Sequence, residues 1–86
     1  MSVTIKAFGH IASLLGAREI VVPCEGQQAI STILARLKSE HPRFSNYLGE
    51  LNEENLLILH RGKIEDEDSL IDPGDELVLV TPISGG

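Results

Sequence analysis

One stretch of this chain carries the apolar stripe of a long helix, and the rest does not. In residues 28–40 apolar side chains recur at i, i+3, i+4 and i+7, namely Ile30, Ile33, Leu34 and Leu37. The spacing predicts an amphipathic helix that ends before Pro42, since proline cannot continue a helix. Because a helix with one apolar face covers one side of a partner layer, the remaining segments are expected to form a sheet.

The first two strands are predicted from alternation and from their boundaries. In "SVTIKAF" the apolar Val3, Ile5 and Ala7 alternate with polar residues, as in a half-buried strand. "GHIASLLG" predicts one or two helical turns closed by Gly16, and "REIVVP" predicts a second strand that stops at Pro23. These segments predict a first hairpin.

The second half of the chain predicts two further strands after a polar connection. "NLLILHR" is an apolar run that predicts a well-buried strand, followed by a turn at residues 61–63. Residues 72–75, "DPGD", match a type II turn, which leads to a final strand over residues 76–81. With a minor strand near Ser69, the order is β-β-α-β-β, and the first and last strands are expected to pair in the middle. We therefore predict a two-layer α+β fold, with a mixed sheet of four to five strands packed on one main helix.

Length and composition are those of one ordinary globular domain. The chain has 86 residues, of which 42% are hydrophobic and 23% are charged. No apolar run approaches the roughly 20 residues of a membrane helix, and no signal region opens the chain, so a cytoplasmic location is expected. We assign residues 1–82 to the domain and residues 83–86 to a flexible tail.

The net charge of −6 is unevenly distributed. Residues 1–43 carry five Lys and Arg against three Asp and Glu, whereas residues 44–86 carry two against ten. An acidic half disfavours nucleic acid and anionic membranes, which both require clustered cations. It favours a basic protein partner, although "EDED" at residues 65–68 is also explained as a solvated loop.

Residues capable of catalysis are sparse within the domain. His10, His41 and His60 are far apart with no metal-binding spacing, and Cys24 is a single cysteine beside a proline, which favours a turn position. His60, at the end of an apolar run, is interpreted as a strand-end residue that bonds to a neighbour. No metal site and no stand-alone enzyme are predicted.

The final "ISGG", Ile83, Ser84, Gly85 and Gly86, permits two interpretations. Two glycines are either a frayed end or the thinnest chain that can enter a narrow slot of another protein. In the second case the reactive group is the Gly86 α-carboxylate. It is ionised at neutral pH and a poor electrophile, so it requires activation, for example as a mixed anhydride with AMP.

The β-β-α-β-β order, "IASLLGAREI" after the first strand, "DPGDELVLVTP" and the "ISGG" ending together resemble the small subunit of molybdopterin synthase (MoaD). MoaD belongs to the ubiquitin-like sulfur-carrier superfamily that includes ThiS. The resemblance implies the β-grasp (ubiquitin-like) fold. It also implies that Gly86 is adenylated and thiocarboxylated, and then donates sulfur for molybdopterin (molybdenum or tungsten cofactor) biosynthesis.

The same resemblance implies partners and a contact surface. The partners are a MoeB-like adenylating enzyme, which uses ATP, and the MoaE-like large subunit of the synthase; no cofactor is expected on this chain. Positions matching Phe8, Ile64 and Val80 form an apolar partner-binding surface in MoaD-like proteins, and all three are apolar here. From the residues alone, Phe8 lies either on that surface or over the turn at residues 10–15, and Val80 is assigned to the core.

Two other functions are also consistent with the sequence. The tail could join Gly86 to lysines of other proteins, as in small archaeal modifiers and Urm-type proteins, or could carry sulfur for thiamine or tRNA thiolation. The domain could instead be a β-grasp interaction module whose tail is incidental.

Overall fold

The computed structural model describes residues 1–50 and 56–81, without the side chains of residues 48–50. The helices in this part of the chain are α1 (Gly9–Leu15), α2 (Ile30–Glu40) and α3 (Pro42–Glu50). The strands are β1 (Ser2–Ala7), β2 (Glu19–Pro23), β3 (Gln28–Ala29), β4 (Leu57–His60), β5 (Lys63–Glu65), β6 (Leu70–Ile71) and β7 (Glu76–Val80).

The main sheet is mixed and has the order β2-β1-β7-β4-β5. β1 and β7 are parallel neighbours at its centre, and the other neighbours are antiparallel. A separate two-stranded sheet joins β3 to β6, which is the minor strand expected near Ser69. The predicted α+β architecture and the central pairing of the first and last strands are confirmed, and the fold is the ubiquitin-like β-grasp.

The core lies between one face of the sheet and the helices. All four residues of the predicted α2 stripe are at most 1% exposed. They face the alternate residues of the central strands, which are Val3, Ile5 and Ala7 on β1 and Leu77 and Leu79 on β7. Each large aliphatic side chain buried in this way contributes about 1.5–3 kcal/mol to folding. One sheet face is therefore occupied by the core, and the opposite face is open.

The helical turns closed by Gly16 and the type II turn at residues 72–75 are confirmed, and the glycine of each has a left-handed conformation. Gly16 ends α1 with a φ of 79°, and its N–H donates to the carbonyl of Ala12 at 2.9 Å. Gly74 has a φ of 92°, and the N–H of Asp75 donates to the carbonyl of Asp72 at 3.0 Å, as in a type II turn. The latter turn starts β7, which ends at Val80 and not at the predicted Thr81.

Helix α3 corrects the prediction of a polar connection after residue 41. Pro42 was interpreted as a stop signal, but proline is also favoured in the first turn of a helix, where no N–H is needed. His41 ends α2 in a non-helical conformation, and α3 begins directly afterwards. Phe44 is fully buried and Tyr47, three residues on, packs against the same core. α3 thus supplies a second helical contribution to the core.

Candidate partner surface at the base of the C-terminal tail

The predicted reactive tail, Ile83, Ser84, Gly85 and Gly86, lies outside the described residues, as does the proposed boundary at Pro82. The position from which it begins is described. β7 ends at Val80, and Thr81 follows with a partly buried side chain. Because Ala7 on β1 lies opposite Leu79 on β7, the tail starts beside the end of β1.

Phe8 lies at this same end of the sheet and on its open face. Its backbone is extended, with φ −133° and ψ 159°, so it continues the alternation of β1 on the side of Thr4 and Lys6. The side chain is 58% exposed. Of the two interpretations left by the sequence, the structure favours the surface over a position folded onto α1.

Val80 also lies on the open face, which corrects its assignment to the core. Leu77 and Leu79 are buried, so alternation places Val78 and Val80 on the opposite side, where both are partly buried. The neighbouring strand β4 likewise has one buried face and one partly exposed face. Leu57 lies opposite Val80 and is partly buried.

The sequence indicated that the run "NLLILHR" forms a well-buried strand, but only one face of that strand is buried. Ile58 and His60 are buried, whereas Leu57 and Leu59 are partly exposed. Leu59 lies opposite Val78 on one side and opposite Ile64 of β5 on the other. Ile64 is 67% exposed. β4 is apolar on both faces because one face packs in the core and the other lies on the open side of the sheet.

These residues form a band that we call the open-face patch: Phe8, Leu57, Leu59, Ile64, Val78 and Val80. The three residues predicted for the partner surface lie within it. Leu57, Leu59 and Val78, which connect them, were missed because the strand pairing is not readable from local sequence. The signal was the unbroken apolar run itself.

The patch is bordered by charge on the β1 side. Lys6 Nζ lies 3.4 Å from Glu76 Oε2 across the parallel pair, and both side chains are about half exposed. An exposed apolar band with a polar border is typical of a protein-binding surface. Here it begins next to the residue from which the tail departs.

His60 is a structural residue at the opposite end of the sheet. Its Nε2 lies 3.0 Å from Asp75 Oδ2, and Arg61 Nη2 donates to Asp75 Oδ1 at 3.1 Å. The N–H of Asp72 also donates to Oδ2, at 3.1 Å, and this bond is the main reason why the pKa of Asp75 lies below its ordinary value. The prediction that His60 bonds to a neighbour is confirmed.

The cysteine and the acidic segment have structural roles as well. Cys24 is fully buried, and its thiol donates to the carbonyl of Gly26 at 3.2 Å. In residues 65–68, Asp66 accepts hydrogen bonds from the N–H of Asp68 and the hydroxyl of Ser69, as in a turn. In residues 1–50 and 56–81, no three His, Cys, Asp or Glu side chains are grouped to hold a metal ion.

None of the helices in the described part of the chain has both the length and the apolar character that crossing a bilayer requires.

Comparison with known proteins identifies the family. A model of the ThiS family matches residues 5–86. Small archaeal modifier protein 1 of Haloferax volcanii is 30% identical over 84 residues, which cover 94% of this chain and 97% of that protein. Its crystal structure superposes with a TM-score of 0.86 at 29% identity and covers both chains completely.

Two more distant structures share the fold. The putative molybdopterin converting factor subunit 1 of Pyrococcus furiosus has a TM-score of 0.77 at 18% identity, over 96% of this chain and 99% of that one. A complex of subunits 1 and 2 of the molybdopterin-converting factor of Helicobacter pylori gives 0.64 at 18%, over all of both matched chains. At such identities the likeness establishes the fold alone. The family match over nearly the whole sequence goes further: the chain belongs to the ThiS family, the ubiquitin-like sulfur-carrier family to which MoaD-like proteins are related.

Proposed function

We propose that this protein is a sulfur carrier whose C-terminal glycine, Gly86, is activated by a partner enzyme and donates sulfur for molybdopterin biosynthesis. The observation that carries the proposal is the open-face patch next to the start of the tail. A partner enzyme must hold the domain of a carrier while the carrier's C-terminus reaches into the active site of that enzyme. The patch is the surface by which the domain is held.

The chemistry takes place on the terminal carboxylate. Its oxygen attacks the α-phosphorus of ATP, an acyl adenylate forms and pyrophosphate leaves. Hydrogen sulfide ion or an equivalent donor then attacks the acyl carbon, the new C–S bond replaces the C–O bond to AMP, and the product is a thiocarboxylate. Glycine at positions 85 and 86 presents no Cβ to hinder the attack.

Two partners follow from this proposal. A MoeB-like enzyme forms the adenylate, and a MoaE-like large subunit holds the carrier while sulfur is transferred to the precursor. The complex of two converting-factor subunits from Helicobacter pylori, one of which has this fold, supports a large-subunit partner of that kind. Since the activation consumes ATP, we also propose that the protein is cytoplasmic.

The test is a reconstitution read by intact mass. The chain is incubated with its activating enzyme, ATP and sulfide, and fragmentation locates any replacement of oxygen by sulfur. We expect the replacement at Gly86, and none in a chain that lacks Gly86 but gives the same circular dichroism spectrum. An unmodified terminus under these conditions, or sulfur transfer by the truncated chain, would contradict the proposal.

A second function is favoured by the 30% identity to small archaeal modifier protein 1. In that case a lysine amine of another protein attacks the acyl carbon of the Gly86 adenylate, or of a thioester formed from it; AMP or the thiol leaves, and an isopeptide bond forms. Peptides from native cells in which Gly86 of this tail is joined by an isopeptide bond to a lysine of another protein would establish the modifier. Their absence, together with a thiocarboxylate in the same cells, would favour the carrier alone.

A further inference from the structure

A groove unrelated to the open-face patch lies beside the edge strand β2. It has a volume of about 300 Å³ and is lined by Pro23, Glu25, Gln28, Thr32, Ile33 and Arg36. One wall is the end of β2 with the segment that follows it, and the other is the side of α2. The volume accommodates a few side chains, at the lower limit of ligand-binding pockets.

The backbone of β2, whose last residue Pro23 lines the groove, is available for pairing. β2 is the outermost strand and has only β1 as a neighbour among the described residues. The N–H of Cys24 donates to the carbonyl of Met1 at 3.0 Å. Residues that bond to the neighbouring strand alternate along an antiparallel pair. Val22 and Ile20 therefore also bond to β1 through their backbone groups. The residues whose backbone groups point outward are Glu19, Val21 and Pro23.

The groove also carries a charge pattern. Arg36 is exposed and forms no ion pair with any residue of the described part of the chain, in a protein whose net charge is −6. Pro23 and Thr32 are exposed and supply apolar atoms to the two walls, whereas Ile33 is only 1% exposed. Glu25 lies at the β2 end of the groove. A ligand carboxylate is therefore attracted to the Arg36 position and repelled from the Glu25 position.

The spacing of the helix wall matches an extended chain. Thr32 and Arg36 are one turn apart on the same side of α2, which corresponds to a rise of about 6 Å. Same-face residues of a strand are about 6.8 Å apart. An extended segment that runs alongside α2 and places an apolar side chain at Thr32 therefore brings its next same-face side chain to Arg36.

We propose that β2 and this groove bind an extended segment of a partner protein as an added strand, with an apolar side chain and a carboxylate two residues apart. The apolar group packs between Pro23 and the methyl group of Thr32, and the carboxylate pairs with Arg36. The outward backbone groups of Glu19 and Val21 bond to the segment. This site is independent of the tail chemistry and lies on the other side of the molecule from Ile64.

The other edge strand lacks these features. β5 has three residues, two of which are charged, and its exposed apolar residue, Ile64, belongs to the open-face patch. Charged residues on a short edge protect it from pairing. The added strand is accordingly assigned to β2 and not to β5.

The test uses a short, terminally blocked peptide with an isoleucine and an aspartate separated by one residue within a run of β-branched residues. It is titrated into the full chain labelled with ¹⁵N. We expect the amide signals of Glu19 and Val21 to shift more than those of Ile20 and Val22, which already bond to β1. Shifts at Thr32 and Arg36 should accompany them.

Variants of both molecules supply the controls. Arg36→Ala should weaken binding about threefold to tenfold, whereas Arg43→Ala, which removes an exposed cation of α3, should not. A peptide N-methylated at its central residue should lose the β2 shifts without any change in the protein. No binding at millimolar peptide, shifts confined to Ile64 and Val78, or equal affinity for the Arg36→Ala chain would overturn the proposal.

Discussion

The carboxylate of Asp75 joins the end of β4 to the turn before β7, because it accepts hydrogen bonds from His60, Arg61 and the N–H of Asp72. Its pKa lies below the ordinary value of 3.8, chiefly because of the Asp72 bond, with burial opposing the shift and Arg61 and His60 adding to it. A carboxylate with a lowered folded-state pKa stabilises the fold above the unfolded value. That contribution is lost as the pH falls through the folded-state pKa.

Asp75→Asn should therefore lower the free energy of unfolding by about 1–3 kcal/mol at neutral pH. The difference from the natural chain should narrow as the pH falls below 3.8, where the Asp75 carboxylate becomes protonated. Urea unfolding at each pH measures the loss of free energy and its change with pH. Circular dichroism follows the unfolding, because the chain has no tryptophan. Asp68→Asn is the matched control, because no hydrogen bond to its carboxylate is described. A difference between Asp75→Asn and the natural chain that does not change with pH would contradict the assignment.

The elements that the sequence predicted are those with local signals. Alternation specified β1, the i, i+3, i+4, i+7 stripe specified α2, and Asp72 to Asp75 specified a turn. α3 was not predicted because a proline such as Pro42 can either follow the end of one helix or stand in the first turn of the next. The open-face patch was predicted only at three positions taken from a family resemblance, because pairing of Leu57 with Val80 and of Leu59 with Ile64 is long-range. Residues 83–86 remain a prediction from sequence.

Helix α3 should stabilise the fold through Phe44. Phe44→Ala should lower the free energy of unfolding by about 3–5 kcal/mol, because the side chain is fully buried. Since that loss can unfold a small domain, Phe44→Leu provides a milder variant with an expected loss of about 1 kcal/mol. Asn46→Ala, on the exposed side of α3, should remain within about 0.5 kcal/mol. Equal stabilities in urea would mean that residues 42–50 are the polar connection that the sequence indicated.

The sheet separates the two tasks of the molecule. Its inner face holds the core, so substitutions there change stability, whereas the open-face patch on the other side consists of partly exposed apolar residues, of which Phe8 and Ile64 are the most exposed. Seven of the ten acidic residues of the second half fall within residues 65–76, in or next to β5, β6 and β7. A partner that covers the open-face patch is therefore expected to present an apolar centre with basic residues at its border.

This separation predicts that binding can be removed without loss of the fold. Ile64→Glu places a charge at a side chain that is 67% exposed, so the free energy of unfolding should change by no more than about 0.5 kcal/mol. The affinity for the activating enzyme or the large subunit should nevertheless fall at least about tenfold, since a charge buried against an apolar partner surface is desolvated without a counter-ion. Leu70→Glu is the matched control, because Leu70 is 55% exposed on β6, which belongs to the separate two-stranded sheet and lies outside the patch. Calorimetric titration of each variant with each partner distinguishes the outcomes: equal weakening by both substitutions would reflect the added negative charge, and full binding by Ile64→Glu would exclude Ile64 from the interface.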